Sequence, residues 1–231
     1  MTKAPRAGAV KTRLVPPLTA EEAAALNVCF LRDITAAIQE SAGTTGLSSG
    51  VAVYTPVGEE KSYSGILPTE FFLIAQRGND FGDRLLFAVQ DLLNVGFVSV
   101  CLINSDSPTV PANVFTDATQ ILAESGDRVV LGPSDDGGYY LIGLKKLHAR
   151  IFEDIEWSTE KVLQQTIARA REINLDIHLL PSWFDVDDRA TLQRLSRDLV
   201  DQKDNHCAPA TRAFMTELLA GDGRQRIWPN E

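Results

Sequence analysis

The chain has 231 residues, a formal net charge of −9, three cysteines and three histidines. An acidic surface repels nucleic-acid backbones, so a general nucleic-acid binder is excluded, but a small phosphorylated ligand can still bind where a cleft reverses the local potential. Cys29, Cys101 and Cys207 are too widely spaced for a zinc site or a disulfide framework.

From the amino end, residues 3–18 read as a basic loop punctuated by glycine and proline. Thr19-Ala20-Glu21-Glu22 is a capping box that opens a helix running to about Ser41. Strands are expected at 50–55 and 71–75, and an amphipathic helix at 82–95. Residues 98–103 form a continuous apolar run, the pattern of a strand buried on both faces. A helix at 112–125 and strands at 128–132 and 139–143 follow. Ser158 is expected to cap a helix reaching 173, ahead of a strand at 177–180. Helices at 189–199 and 211–219 close the chain, with the polar stretch 201–209 as a hinge before the last. This alternation predicts one α/β domain spanning 1–231, with a mostly parallel sheet and helices on both faces. No apolar run approaches the ~20 residues that cross a bilayer. The first residues lack the apolar core of a signal peptide, so a cytoplasmic protein is expected.

Four segments carry candidate chemistry. The first is the loop with Lys3, Arg6, Lys11 and Arg13, in which Gly8 permits close backbone approach to a phosphate. It is no Walker loop, because the GxxxxGK[ST] pattern is absent. A disordered basic tail is the competing reading. The second is Asn104-Ser105-Asp106-Ser107-Pro108, at the end of an apolar strand where α/β proteins bind ligands. Asp106 there suits Mg²⁺ or Mn²⁺ shared with substrate phosphates, or simply a helix cap. The third is Gly132-Pro133-Ser134-Asp135-Asp136-Gly137-Gly138-Tyr139-Tyr140, both a hairpin signal and a site lining. The fourth is Asp185-Val186-Asp187-Asp188, in which Asp185 and Asp187 point to one side of an extended segment. Gln76 to Arg84 is a minor candidate at another strand end. No Ser–His–Asp, Cys–His or zinc arrangement competes.

In order, K-A-P-R-x-G-x-V-K-T-R-L, N-D-F-G-D-R-L, S-D-S-P-T-V-P, G-P-S-D-D-G-G-Y-Y-L-I-G-L, Trp157-Ser158-Thr159 and D-V-D-D span residues 3 to about 195. This ordered set resembles a bacterial family of GT-A-type transferases known as DUF2064, similar to nucleotide-diphospho-sugar transferases and to molybdenum-cofactor and phospholactate guanylyltransferases. The resemblance implies a Rossmann-like GT-A fold with the nucleotide at the strand ends. It implies that Lys3, Arg6, Gly8, Lys11 and Arg13 hold the nucleotide, with Gln76 and Asp80 beside it. It makes Asp106 the leading metal ligand, with Asp187 or Asp185 the second, for Mg²⁺ or Mn²⁺. It places Asp136, Gly137, Gly138 and Tyr139 beside the acceptor or sugar, with Asp106, Asp136 and Asp187 as the catalytic set.

Two departures from the family pattern stand out. Asn104 occupies a usual glycine position, and the first strand, which normally precedes the basic loop, is missing. Its loss should leave two neighbouring strands with unpaired edges. A misplaced start or an impaired protein is the expectation that follows. The expected activity is metal-dependent transfer of a sugar from a nucleoside diphosphate to a small acceptor. The alternatives are nucleotidyl transfer from a nucleoside triphosphate and a catalytically silent nucleotide-binding module.

Overall fold

The computed structural model describes residues 1–46, 48–202 and 207–229. Its elements are β1 (Thr2–Lys3), α1 (Ala20–Thr45), β2 (Val51–Thr55), β3 (Phe72–Ala75), α2 (Phe81–Asn94), β4 (Val100–Ile103), α3 (Ala112–Ala123), β5 (Arg128–Pro133), β6 (Tyr139–Leu144), α4 (Val162–Glu172), β7 (Asp176–Leu179), α5 (Arg189–Ser196), α6 (Pro209–Leu218) and α7 (Gly223–Ile227).

Local chemistry fixes most helix starts. Thr19 accepts from Glu22 N while the Glu22 carboxylate accepts from Thr19 N, the reciprocal cap expected at α1. Asp80 caps α2 through Asp83 N, and Asp188 caps α5 through Thr191 N. α6 is capped from a distance, because both Asp33 carboxylate oxygens accept from its first N–H groups, at Ala210 and Thr211. One expected start is corrected. Ser158 has φ 64, away from the extended backbone usual at an N-cap, and α4 begins only at Val162, after Lys161. The intervening loop instead packs Trp157 so closely on Gly82 that a Cβ there would lie 2.7 Å from Nε1. The last expected helix starts two residues earlier and runs 209–218, and 189–199 divides into α5 and one π-helical turn, Arg197–Asp201. The expected hinge at 201–209 includes residues 203–206, which lie outside the described residues.

The strands form two groups, β1-β2-β3 and β4-β6-β5-β7. Pairing is parallel except where β6 runs antiparallel to both β4 and β5. The hairpin read from Asp-Gly-Gly is therefore real, and joins β5 to β6. Side chains alternate between faces, as the two-residue period requires. Val100, Leu102, Val129 and Leu131 face α2 and α4, while Cys101, Ile103 and Val130 face α3. The first strand survives only as the two residues of β1, which pair with Tyr54 and Thr55. Met1 completes the link by donating from its amino group to Ile103 O at 2.8 Å.

A further core is formed by the chain ends. Leu14, Leu18, Leu26 and Phe30 pack with Phe184, Val186, Leu192, Leu195, Met215 and Trp228. Full burial of each such side chain is worth about 1.5–3 kcal/mol. This packing, together with Leu14 at 0% exposure, presses the amino-terminal loop against the segment that carries Asp185 and Asp187.

Candidate active site

The loop after β1 turns through Gly8 (φ +73) and then through Lys11 (φ 48), whose left-handed backbone aims its side chain inward. The Lys11 side chain is 4% exposed. Its ammonium lies 2.5 Å from Asp106 Oδ1 and 3.0 Å from Asp187 Oδ1, and donates to Val186 O at 2.9 Å. Burial opposes a charge here, but the carboxylates of Asp106 and Asp187 outweigh it and raise the Lys11 pKa above its ordinary value. The ammonium also sits 5.3 Å from the Phe30 ring centroid, a cation–π distance. Asp106 and Asp187, more than 80 residues apart in sequence, thus meet on one positive charge.

The two acidic segments are laced together beneath this point. Val186 N donates to Asp106 O at 2.9 Å. Asp185 turns into the protein: Oδ1 accepts from Asn104 Nδ2 at 2.7 Å and from Ser107 Oγ, and Oδ2 accepts from Ser134 Oγ at 3.0 Å. Burial raises the Asp185 pKa. The Ser107 and Asn104 hydrogen bonds act against that rise, and repulsion from Asp106 and Asp136 adds to it. Asp185 is therefore an anchor that fixes the β4, β5 and 183–187 strand ends relative to one another. Asn104, Ser107 and Ser134 lie within the candidate segments, but the sequence reading gave none of them the task of holding Asp185. Their signal was small polar residues at strand ends flanking the acids.

The other expected site residues are distributed around this centre. Asp136 is exposed, near enough to Asp185 to repel it, and accepts from Gly138 N at 2.9 Å. Gly137 (φ +88) is required by protein packing, since a Cβ would lie 2.2 Å from Glu160 O. Tyr139 packs on the core and its hydroxyl is buried. Gln76 donates through Nε2 to Thr2 O and Val53 O, which ties β1 to β2. Asp80 is occupied as the α2 cap. Arg6 pairs with Glu59, while Lys3 and Arg13 are exposed.

As donors for a divalent cation, Asp106 and Asp187 offer hard oxygens that already converge on a cation. Among the described residues no group of three or more histidine, cysteine, aspartate or glutamate side chains is placed to hold a metal ion by itself. Mg²⁺ is commonly held by one or two carboxylates together with substrate phosphates, so this pair fits such an ion when a phosphorylated ligand supplies the rest.

The α/β architecture, a mostly parallel sheet covered by helices, is the Rossmann-like GT-A fold. Residues 37–159 match the profile of the family described as uncharacterized proteins conserved in bacteria, DUF2064. The chain belongs to that family. It is similar to a crystal structure, at 1.90 Å resolution, of a candidate nucleotide-diphospho-sugar transferase from Desulfovibrio desulfuricans G20. The two share 31% sequence identity with a TM-score of 0.83, over 97% of this chain and 94% of that one. The likeness thus extends over most of the chain outside residues 37–159 as well. No curated protein matches. Among the described residues no helix is long and apolar enough to cross a membrane.

Proposed function

We propose that the protein is a metal-dependent transferase that takes a nucleoside-diphosphate sugar as donor and passes the sugar to a small acceptor. One observation carries the reading: Asp106 and Asp187 converge on a single buried cation contributed by the amino-terminal loop. The likeness to a candidate transferase of nucleotide-diphospho-sugars supports it.

In this reading Asp106 and Asp187 hold Mg²⁺ or Mn²⁺. The ion neutralises charge that develops on the leaving diphosphate. Lys11 turns from the carboxylates to the phosphates, and Lys3, Arg6 and Arg13 add positive charge around them. The bond from the anomeric carbon to the phosphate oxygen breaks, and a bond to the acceptor hydroxyl oxygen forms. Asp136, exposed at the edge of the acidic cluster, is assigned to the acceptor side, where it takes the hydroxyl proton. Asp185 keeps the strand ends in register. The reaction belongs to the cytoplasm, where nucleotide donors are made.

Thermal stability measured with UDP-sugars, GDP-sugars, UTP, GTP and CTP, each with and without Mn²⁺, tests the proposal. A ligand at ten times its Kd adds about 1.4 kcal/mol. A Mn²⁺-dependent rise with nucleotide sugars, lost in Asp106→Asn, is expected, together with release of nucleoside diphosphate when an acceptor is supplied. A rise with triphosphates alone would replace glycosyl transfer by nucleotidyl transfer, and binding with no turnover of any acceptor would leave a silent nucleotide module.

A further inference from the structure

Phe81 and Trp157 belong to two segments, N-D-F-G-D-R-L and W-S-T, to which the proposed reaction gives no task. Phe81 is the first residue of α2, directly after its Asp80 cap, and is 50% exposed. Among the described residues it joins none of the apolar clusters that hold the fold. Its ring instead meets Trp157, with centroids 5.3 Å apart and planes at 77°. That is an edge-to-face arrangement, which aromatic pairs favour. The two rings form a corner, with Phe81 standing half in solvent.

Trp157 is fixed in its place. Its indole packs against the core that contains Phe152 and lies on the bare backbone of Gly82. The turn around it is tied by Trp157 N donating to Ile155 O at 3.0 Å and Thr159 Oγ1 donating to Glu156 O at 2.7 Å. The same loop is seated on the β5–β6 hairpin. Leu163 N donates to Gly137 O at 2.9 Å, and Glu160 lies against Gly137 too closely to admit a side chain there. Gly137 directly follows Asp136, the residue assigned to the acceptor proton. β4 and β5 both run antiparallel to β6, so Asp106 and this hairpin stand at the same end of the sheet. The loop therefore carries the aromatic corner to the acceptor side of the acidic centre.

We infer that this corner seats the acceptor, an uncharged alcohol with a flat ring that stacks on Phe81 and is bordered by Trp157. The inference rests on the proposed sugar transfer. The face of an aromatic ring is electron-rich, so it attracts the C–H groups of a pyranose or the edge of another aromatic ring. Charge disfavours an anionic acceptor. Asp80, Asp83, Glu156 and Glu160 flank the pair against Arg84 and Lys161, and Lys161 is already held by Glu156 at 2.9 Å. A phosphate or carboxylate on the acceptor would meet these acids and Asp136. In the step itself the acceptor oxygen bonds to the anomeric carbon, and the bond from that carbon to the donor phosphate oxygen breaks. The nucleoside diphosphate leaves with the electron pair, and Asp136 takes the hydroxyl proton. The aromatic corner holds the ring so that its hydroxyl stays in line for that attack.

Saturation-transfer NMR tests the seat without any reaction. The ring probes are benzyl alcohol and methyl β-glucoside, with benzoate and glucuronate as charged counterparts and glycerol as the ringless control. At least one neutral ring should bind more tightly than its charged counterpart and than glycerol. Phe81→Ala should weaken that binding about three- to ten-fold, the range that one aromatic contact is worth, and Phe81→Tyr should restore most of it. Preference for benzyl alcohol assigns an aromatic alcohol as acceptor, and preference for the glucoside assigns a sugar. No binding of either neutral ring, equal affinity in Phe81→Ala, or tighter binding of the charged counterparts would overturn the inference. Phe81 lies outside the Asp106–Asp187 pair, so Mn²⁺-dependent stabilisation by nucleotide sugars should persist in Phe81→Ala. Loss of that stabilisation together with ring binding would place Phe81 in the donor site and overturn the assignment. Its absence from the unsubstituted protein is a separate result, the failure of the transferase reading.

Discussion

Lys11 and Asp106 stand 2.5 Å apart at the end of β4, so the phosphate-loop cation and the leading metal-ligand candidate neutralise each other in the ligand-free protein. Because Asp187 shares the same ammonium, the protein carries a cation of its own where a divalent ion would bind. Under the proposed function, a metal ion would compete with Lys11 for these oxygens, and a donor's phosphates would draw the lysine away.

Lys11→Met should make the ligand-free protein a better metal binder. With the ammonium gone, two carboxylates repel each other and welcome a divalent ion. Mn²⁺ affinity, read by electron paramagnetic resonance titration, should rise about ten-fold. Stability without metal should fall by about 1–2 kcal/mol, less than for a fully buried pair because both carboxylates can rehydrate. Unchanged Mn²⁺ binding would show that the two acids do not share an ion.

Asp185→Ala tests the anchor. Its oxygens accept from Asn104, Ser107 and Ser134, and truncation strands all three donors. A loss of about 2–4 kcal/mol is expected, seen as a Tm drop of roughly 5–10 °C. Mn²⁺ affinity should change far less than in Asp106→Asn. The reverse pattern would make Asp185 a metal ligand.

Two glycines of the candidate site should respond differently to alanine. Gly137→Ala meets Glu160 O in a left-handed conformation and should cost more than about 2 kcal/mol in chemical denaturation. Gly8→Ala has the same backbone sign but open space around it, and should cost about 1 kcal/mol. Similar costs at both positions would mean that the 157–161 loop yields.

The Met1 amine gives a pH signature. Its pKa drops from 8.0 to about 6 on folding, because burial disfavours the charge, although Asp106 favours it. The unfolded chain therefore binds the extra proton between pH 6 and 8, and stability rises with pH across that window. The contribution is present above pH 8 and is lost as pH falls through about 6. It amounts to about 3 kcal/mol at most. Denaturation midpoints at pH 5.5 and 8.5 measure it, and Nα-acetylation should flatten the difference.

Much of the architecture was legible because it is written locally. The cap at Thr19 and the apolar run ending at Ile103 each announce themselves within a few residues. Ser158 misled because a small polar residue before an amphipathic stretch looks like a cap, while the packing of Trp157 on Gly82 overrides that preference. In the site, the sequence supplied Asp106, Asp187 and Lys11 as candidates, but not their meeting point. That depends on Leu14 and Leu18 docking on Val186 and Leu192, a contact between distant segments that no local pattern encodes. The division of labour between Asp185 and Asp187 was equally hidden, since alternation put both on one side and only the serines and Asn104 separate them.

The two ends of the polypeptide share one core, in which Leu14, Leu18 and Phe30 lie against Met215, Ile227 and Trp228, and Asp33 closes the start of α6. The lysine loop precedes α6 and α7 in the chain, yet its seat is complete only once those helices have packed. A chain cut before α6 should therefore keep its sheet and lose the support that seats the lysine loop.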